Sequence, residues 1–172
     1  HNARQESGYQ FYGSEPWFTV NSTYSDCSQT PQRSIDDYNR ARVMPFFYFE
    51  GRYENESSTT QVCLRSQAYW PVLLGSVGSF FGNRPIWLFD PGWQTALGSQ
   101  GTQNMVHFGR LFKSRAWDKL VPDLNGTVLT AGRGSLGTDY AAAARTNDGA
   151  TIIVYTPSQR ALTIDMSRIT SA

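Results

Sequence analysis

Apolar and aromatic residues fill one short stretch of the sequence almost completely. From Val43 to Phe49, six of the seven residues are apolar or aromatic and the seventh is Pro45, and the run ends at Glu50 and Gly51. A continuous apolar run of this length predicts a β-strand buried on both faces. Ligands of parallel sheets and barrels bind at the carboxyl ends of the strands. Glu50 is therefore either a site carboxylate or a solvated residue at a strand end.

The pattern on either side of this run alternates between strands and helices. Trp17–Tyr24 is rich in β-branched and aromatic residues, which predicts a strand, and Thr30-Pro31 predicts a helix start with Thr30 as its N-cap. Val62–Leu74 fits a mostly buried helix, and Ser79–Asn83 fits a very short strand. This order of strand, helix, strand, helix, strand predicts an α/β fold with parallel strands and right-handed crossovers.

The pattern changes after a long loop and a helix predicted over Thr102–Trp117. Short strand-like runs follow, separated by turn residues that include Asn147-Asp148-Gly149, a hairpin signal. We predict an antiparallel β module, joined to the first part by a linker through Val121-Pro122-Asp123. The predicted domains are residues 1–117 and 118–172. The four predicted strands are Thr127–Thr130, Tyr140–Ala144, Thr151–Tyr155 and Ala161–Asp165.

Both predicted domains are small for their class. Three parallel strands cannot close a barrel, since eight-stranded barrels run to about 250 residues. Four strands are few for an independent sandwich. The chain also opens without methionine and without a signal segment. We therefore expect the sequence to be an internal or processed piece whose other parts complete both domains.

Composition narrows the range of partners. The chain has 15 Lys+Arg against 14 Asp+Glu and forms no basic cluster, which argues against nucleic-acid binding, and no apolar run reaches the length of a membrane span. Aromatic residues make up 14% of the chain, and such rings form cores or line sugar-binding clefts. Cys27 and Cys63 form either one disulfide or two buried thiols, and without nearby histidines they make a poor zinc site. Three glycosylation sequons favour an extracellular protein: Asn21, Asn55 and Asn125.

Several motifs resemble those of the apiosidase-like glycoside hydrolase family. The strongest is Pro45-Phe-Phe-Tyr-Phe-Glu50-Gly-Arg-Tyr53-Glu54, and the similarity continues in the family's order along nearly the whole chain. The other motifs are Ala68-Tyr69-Trp70, Ile86–Trp93, Phe112–Asp123, Leu129–Gly134 and Asp139–Arg145. The resemblance implies the C-terminal portion of a (β/α)8 TIM barrel followed by a small antiparallel β-sandwich that carries a collagen-binding label. It also implies that Trp17–Tyr24, Val43–Glu50 and Ser79–Phe81 are barrel strands six, seven and eight.

The resemblance further implies two-carboxylate hydrolysis of a complex polysaccharide by a secreted protein, with no metal and no cofactor. Glu50 matches the family's catalytic carboxylate on strand seven, and in a retaining enzyme it is the nucleophile. The partner acid of strand four would precede His1, and neither Asp26, Glu54 nor Asp90 matches its position. The sequence departs from the family immediately before the glutamate, where Phe49 replaces the usual glycine.

Five residues are candidate substrate-binding groups in this register: His1, Tyr24, Tyr53, Asn83 and Trp87. His1 resembles the histidine at the end of the fifth strand, and the others follow predicted strand ends or lie in the long loop. For the aromatic candidates the alternative is packing that fixes a loop to the barrel rim. For the whole protein the alternative is a structural or adhesive glycoprotein that has lost its catalysis and self-associates or binds glycans.

Overall fold

The parallel part of the fold is a two-stranded sheet that two further bridges extend. The computed structural model describes residues 6–170, so His1 lies outside the described residues. Strand β1 (Asn21–Tyr24) pairs in parallel with β2 (Phe46–Glu50). The predicted strand Ser79–Asn83 forms only isolated parallel bridges, from Ser79 to Tyr48 and from Asn83 to Glu54.

Strand β2 is buried on one face only, so the prediction of a strand buried on both faces is wrong. Phe46 and Tyr48 point into the core, whereas Phe49 on the opposite face is 47% exposed. Val43 is 92% exposed and lies outside the strand, because the ladder begins with the bond from the Asn21 amide to the Pro45 carbonyl. The exposed face is the side on which the candidate site lies.

Five α-helices accompany these strands within the described residues. A short helix α1 (Tyr9–Tyr12) precedes β1, and helix α2 (Thr30–Tyr38) follows β1. The N-cap of α2 is Gln29, so the predicted cap at Thr30 is off by one residue. Helix α3 (Gln61–Leu73) begins at the N-cap Thr60, whose hydroxyl accepts from the Cys63 amide at 3.2 Å. Two further helices follow the Ser79–Asn83 segment: α4 (Trp93–Ala96) and α5 (Gln100–Lys113).

The C-terminal part of the chain consists of two small antiparallel sheets. One has the order β3 (Leu120–Pro122), β5 (Ala142–Thr146), β6 (Ile152–Tyr155), and the other pairs β4 (Leu129–Ala131) with β7 (Thr163–Ile164). The prediction of a linker through Val121-Pro122-Asp123 is therefore wrong in part. Residues 120–122 form an edge strand that pairs antiparallel with residues 144–146 of β5. The buried Asp123 anchors the next turn through the amides of Thr127, Val128 and Leu129.

One hydrophobic core spans the helices and the antiparallel sheet. Trp70 and Leu73 of α3 and Phe112 of α5 pack against Tyr140 and a row of alanines on β5. The alanine side chains are small enough to let α3 approach the sheet, and the Trp70 indole donates to the Tyr140 carbonyl at 2.7 Å. The fold is thus mixed α/β with antiparallel sheets. The division at residue 117 stays a prediction.

A disulfide crosslinks two of these elements, and the helices can be compared with the length that a membrane span needs. A disulfide joins Cys27, in the loop after β1, to Cys63 in the first turn of α3, with the two Cα atoms 5.7 Å apart. Of the two alternatives for the cysteines, the structure contains the crosslink. Among the helices of residues 6–170, none has both the length and the apolar character that a membrane crossing requires.

Candidate active site

A β-bulge orients Glu50 at the end of β2. Thr23 pairs with Tyr48 and the next residue, Tyr24, pairs with Glu50, so Phe49 has no partner on β1. A bulge of this kind interrupts the alternation of side chains between the two faces of a sheet. Phe49 and Glu50 consequently line the same cavity although they are consecutive in the chain. Phe49 also contacts Phe80 edge-on, with ring centroids 5.5 Å apart.

The cavity beside Glu50 has a volume of about 470 Å³ and is built from the segments that follow β1 and β2. A neighbouring cavity of about 260 Å³ shares five of its residues and extends to Phe80 and Asn83. Both polar and aromatic side chains line the wall. The larger cavity is lined by Tyr24, Asp26, Phe49, Glu50, Gly51, Arg52, Tyr53, Glu56, Ser57 and Trp87.

Tyr53 donates a hydrogen bond of 2.9 Å from its hydroxyl to Glu50 Oε1. Burial raises the pKa of Tyr53 to about 12, and the hydrogen bond and negative charge of Glu50 act in the same direction. The phenol is therefore protonated at neutral pH and serves as a donor to the carboxylate. This contact restricts the rotation of the Glu50 side chain within the cleft.

The position of the Tyr53 ring is set by its neighbours. The ring lies over Gly82, where an added Cβ would approach the ring atoms to 2.5 Å, so only glycine fits beneath it. Trp87 contacts Tyr53 edge-on, with centroids 6.2 Å apart. The exposed Trp87 is itself held by a 2.8 Å hydrogen bond from its indole to Glu56 Oε1. These two contacts fix the Trp87 side chain at the cavity wall.

The turn between Glu50 and Tyr53 is fastened to α3. The buried Gln67 accepts the Arg52 amide at 2.9 Å and donates to the Arg52 carbonyl. The Arg52 guanidinium pairs with Asp26 at 2.7 Å, which joins this turn to the loop after β1. The Cys27–Cys63 disulfide joins the loop after β1 to α3. The turn after β2, the loop after β1 and α3 are therefore connected to one another by an amide bridge, an ion pair and a disulfide.

Glu54 is an acidic residue with an environment that the local sequence does not reveal. It follows Glu50 by only four residues, yet it is 4% exposed and accepts hydrogen bonds from four donors. One of these donors is Asn83, which is buried beside the smaller cavity with its Nδ2 committed to Glu54 and Ser99. The signal for Glu54 lies in the Ser99 N-cap of α5, which is far away in the sequence.

The remaining candidates fall into two groups. Tyr24 and Trp87 line the cavity with Glu50. Asp90 does not line this cavity, and its carboxylate pairs with Arg84 at a distance of 3.5 Å.

The glycosylation candidates differ in accessibility. Asn21 is 1% exposed within β1, whereas Asn55 and Asn125 are exposed in loops. Binding and modification roles of all these residues stay predictions. Within residues 6–170, no group of three or more His, Cys, Asp or Glu side chains is arranged to hold a metal ion.

Comparisons with solved structures show a known fold. The chain superposes on a glycoside hydrolase with a TM-score of 0.82 at 22% identity, covering 98% of this chain and 45% of that one. A glycoside hydrolase family 5 structure from Bacteroides vulgatus ATCC 8482 gives 0.78 at 24% identity, covering 98% and 43%. The chain thus spans less than half the length of either structure. A search of curated proteins found no match.

The sequence also matches a model of a protein family over most of its length. The matching family is described as "Apiosidase-like, catalytic domain", and the match covers residues 1–119. This range contains β1, β2, all five helices and every residue of the two cavities around Glu50. The resemblance found in the sequence motifs is thereby confirmed, and the chain belongs to the apiosidase-like glycoside hydrolase family.

Proposed function

We propose that this protein hydrolyses glycosidic bonds of a complex polysaccharide and that Glu50 is one of its two catalytic carboxylates. The observation that carries the proposal is the position of Glu50: it ends a parallel strand, lines a cavity of about 470 Å³ near that edge, and accepts a hydrogen bond from Tyr53. Residues 1–117 form the C-terminal part of a (β/α)8 barrel in this proposal, and residues 118–172 belong to a β-sandwich.

Glu50 acts as the nucleophile in the retaining form of this reaction. Its carboxylate attacks the anomeric carbon as the leaving-group oxygen receives a proton from a second carboxylic acid, and water later releases the sugar. The two carboxyl groups of such enzymes are about 5–5.5 Å apart. The Tyr53 hydroxyl holds Glu50 Oε1, which favours one orientation of the attacking carboxylate.

The second carboxylate comes from a part of the protein outside residues 1–172. The acidic side chains that line the cavity with Glu50 have structural partners: Asp26 pairs with Arg52, and Glu56 holds the Trp87 indole. Glu54 is buried in its own hydrogen-bond cluster. The structures that this chain resembles are more than twice as long, which leaves ample chain for a further site residue.

The sugar binds against aromatic and polar groups of the cavity wall. Trp87 and Tyr24 offer ring faces and a hydroxyl, and Tyr53 and Asn83 border the same space. The family's name makes apiosyl linkages the first substrates to test. His1, which lies outside the described residues, is a further candidate contact through the family resemblance alone.

An extracellular location agrees with the covalent chemistry of the chain. The Cys27–Cys63 disulfide is typical of oxidising compartments. Of the three sequons, Asn125 is exposed, and Asn55 is exposed as a residue although its Nδ2 donates to the Arg84 carbonyl at 2.8 Å. Because Asn21 is buried in β1, a glycan on Asn21 is incompatible with this fold.

A second function is favoured by one observation. Phe49 is half-exposed on the bulge and stands in the cleft directly beside Glu50. A ring in this position narrows the space for a sugar, as expected of a protein that retains glycan binding without hydrolysis. Such a protein would bind oligosaccharides through the same wall and turn none over.

The decisive experiment compares two substitutions in the full-length protein that carries this sequence. Purified protein is offered a panel of plant and microbial polysaccharides, with apiosyl-bearing ones first, and released sugars are quantified. Glu50→Gln keeps the shape of the side chain and should lower kcat by at least about 10³-fold. Glu15→Gln, on the exposed loop before β1, is the matched control and should retain wild-type activity. Binding without sugar release by the wild-type protein would support the non-catalytic alternative.

A further inference from the structure

The structure contains a buried carboxylate that the proposed chemistry does not use. Glu54 Oε1 accepts the Gly101 amide at 2.7 Å and the Gln61 side chain at 2.8 Å. Glu54 Oε2 accepts Asn83 Nδ2 at 2.6 Å and the Ser99 hydroxyl at 2.6 Å. Each oxygen thus accepts two hydrogen bonds, so both polar atoms are satisfied although the side chain is buried.

These donors come from three separate parts of the chain. Gln61 opens α3, Asn83 follows the short bridged segment, and Ser99 and Gly101 form the first turn of α5. The amino end of a helix carries a partial positive charge and unpaired amide groups, so a carboxylate is stabilised there. Gly101 leaves the space for it, since an added Cβ would lie 2.5 Å from Glu54 Oε2. Glu54 therefore ties its own segment to two helices.

The same segment carries the hydroxyl that contacts Glu50. The Glu54 amide donates to the Gly82 carbonyl at 2.9 Å, and the Arg84 amide donates to the Glu54 carbonyl at 3.0 Å. With the Glu54 backbone held in this way, the Tyr53 ring packs on Gly82, and its hydroxyl donates to Glu50 Oε1. A shift of the Glu54 backbone would move the Tyr53 ring away from Glu50.

We propose that Glu54 is a positioning residue, which acts through Tyr53 to hold the Glu50 carboxylate in its reactive orientation. The inference rests on the proposed function, because it assigns Glu54 a role in catalysis by Glu50. A carboxylate with a purely structural role would stabilise α5 without any specific effect on turnover. The two roles differ in what happens to Tyr53 and to kcat when Glu54 is changed.

The first test is a double-mutant cycle in the full-length protein. Glu54→Gln should lower kcat by about 10- to 100-fold while KM stays within about threefold, since the group acts on orientation rather than on binding. Tyr53→Phe should give a loss of the same order. The double variant should be no slower than the slower single variant, because both changes break one chain of contacts. Additive losses, or full turnover by Glu54→Gln, would overturn the inference.

The second test reads the position of Tyr53 directly. The pKa of Tyr53 is about 12, and a part of that elevation comes from Glu50. Tyrosine labelled with ¹³C at the ζ carbon reports this ionisation by NMR, and Tyr53→Phe identifies the resonance. In Glu54→Gln the pKa of Tyr53 should fall towards 10.0, the ordinary value for tyrosine. An unchanged pKa would assign Glu54 a structural role only.

Two further variants keep these tests interpretable. Gln61→Ala removes a single donor from Glu54 and replaces Glu54→Gln in the tests if that variant does not fold. It should lower kcat and the pKa of Tyr53 in the same direction, by smaller amounts. Asp123→Asn disturbs another buried carboxylate, which is held by Arg133 at 2.7 Å in the antiparallel part, and should lower the melting temperature without changing kcat. If the wild-type protein has no activity, or if Glu50→Gln retains it, the proposed function fails, whereas the pKa of Tyr53 still decides whether Glu54 positions that hydroxyl.

Discussion

Tyr53 and Glu50 lie three residues apart and face each other across the turn that ends β2, with the Tyr53 hydroxyl 2.9 Å from Glu50 Oε1. The contact joins the end of a parallel strand to the loop that follows it. Its geometry depends on the bulge at Phe49, which brings Glu50 into the cavity, and on Gly82, which leaves room for the Tyr53 ring. The local backbone thus prepares the carboxylate before any substrate is present.

Removal of this hydroxyl should impair turnover more than stability. Tyr53→Phe deletes the hydrogen bond that orients the Glu50 carboxylate, so we expect kcat to fall by about 10- to 100-fold in the full-length protein. The melting temperature of the Tyr53→Phe variant should change little, because Tyr53 lies at the cavity wall and not in the core. Steady-state kinetics and calorimetry test both statements. A variant that unfolds early with normal kcat would contradict them.

Two glycines of α5 should respond in opposite directions to alanine. Gly101→Ala places a Cβ 2.5 Å from Glu54 Oε2 and 2.6 Å from Glu54 Cδ, and it should destabilise the protein by about 1–3 kcal/mol. Gly109 has no atom within 4 Å of an added Cβ, so Gly109→Ala should stabilise the same helix by about 0.5–1 kcal/mol. Urea unfolding of the two variants measures the difference. Equal effects would show that Glu54 does not occupy the space beside Gly101.

The buried Tyr48 should make the protein sensitive to alkali. Burial raises the pKa of Tyr48 to about 12, while hydrogen bonds with Ser25 and Thr30 partly oppose this rise. The unfolded chain loses this proton near pH 10 and the folded chain near pH 12. Below pH 10 the stabilisation is fully present, and it is lost as the pH rises through that interval. The slope of the unfolding free energy against pH between these values should be negative.

The variant Tyr48→Phe provides the control for this pH dependence. It loses the 2.8 Å bond from the Tyr48 hydroxyl to the Ser25 carbonyl and should be about 1–3 kcal/mol less stable at pH 7. The difference from wild type should shrink above pH 10, because the phenylalanine has no proton to lose. A difference that is constant from pH 7 to 12 would contradict the account.

Reduction of the disulfide should destabilise the fold. Cys27 and Cys63 are 36 residues apart, and a crosslink of that span contributes about 3–4 kcal/mol in the chain-entropy account. The double variant Cys27→Ser/Cys63→Ser should be less stable by about this amount, measured by urea unfolding. Wild-type protein treated with reductant should match it. Equal stability of the oxidised and reduced proteins would contradict a structural role for the crosslink.

Local sequence patterns predicted the position of Glu50 well and its orientation not at all. The apolar run before Glu50 and the glycine after it indicate a strand end, because these signals are contained in neighbouring residues. The bulge at Phe49 depends on how β2 pairs with β1, whose residues lie about 25 positions earlier in the chain: Asn21 pairs with Phe46, and Tyr24 pairs with Glu50. A single sequence does not specify that register.

Residues whose environment comes from distant segments were the ones misjudged. Glu54 closely follows a strand end, where a charged side chain is ordinarily solvated, and its burial is caused by the α5 turn at Ser99 and Gly101. The stretch Val121–Asp123 has the composition of a linker, yet β5 supplies a partner for it more than 20 residues later. In each case the deciding contact is tertiary, and no local period or cap reveals it.

The central claim is that Glu50 is the nucleophile of a glycoside hydrolase, and covalent trapping tests it most directly. The full-length protein is incubated with an activated 2-deoxy-2-fluoro glycoside of its best substrate, which slows hydrolysis of the glycosyl-enzyme, and is then digested and analysed by mass spectrometry. We predict one sugar adduct, located on Glu50, and none in Glu50→Gln. An adduct on a different carboxylate, or turnover of the substrate by Glu50→Gln at the wild-type rate, would contradict the account.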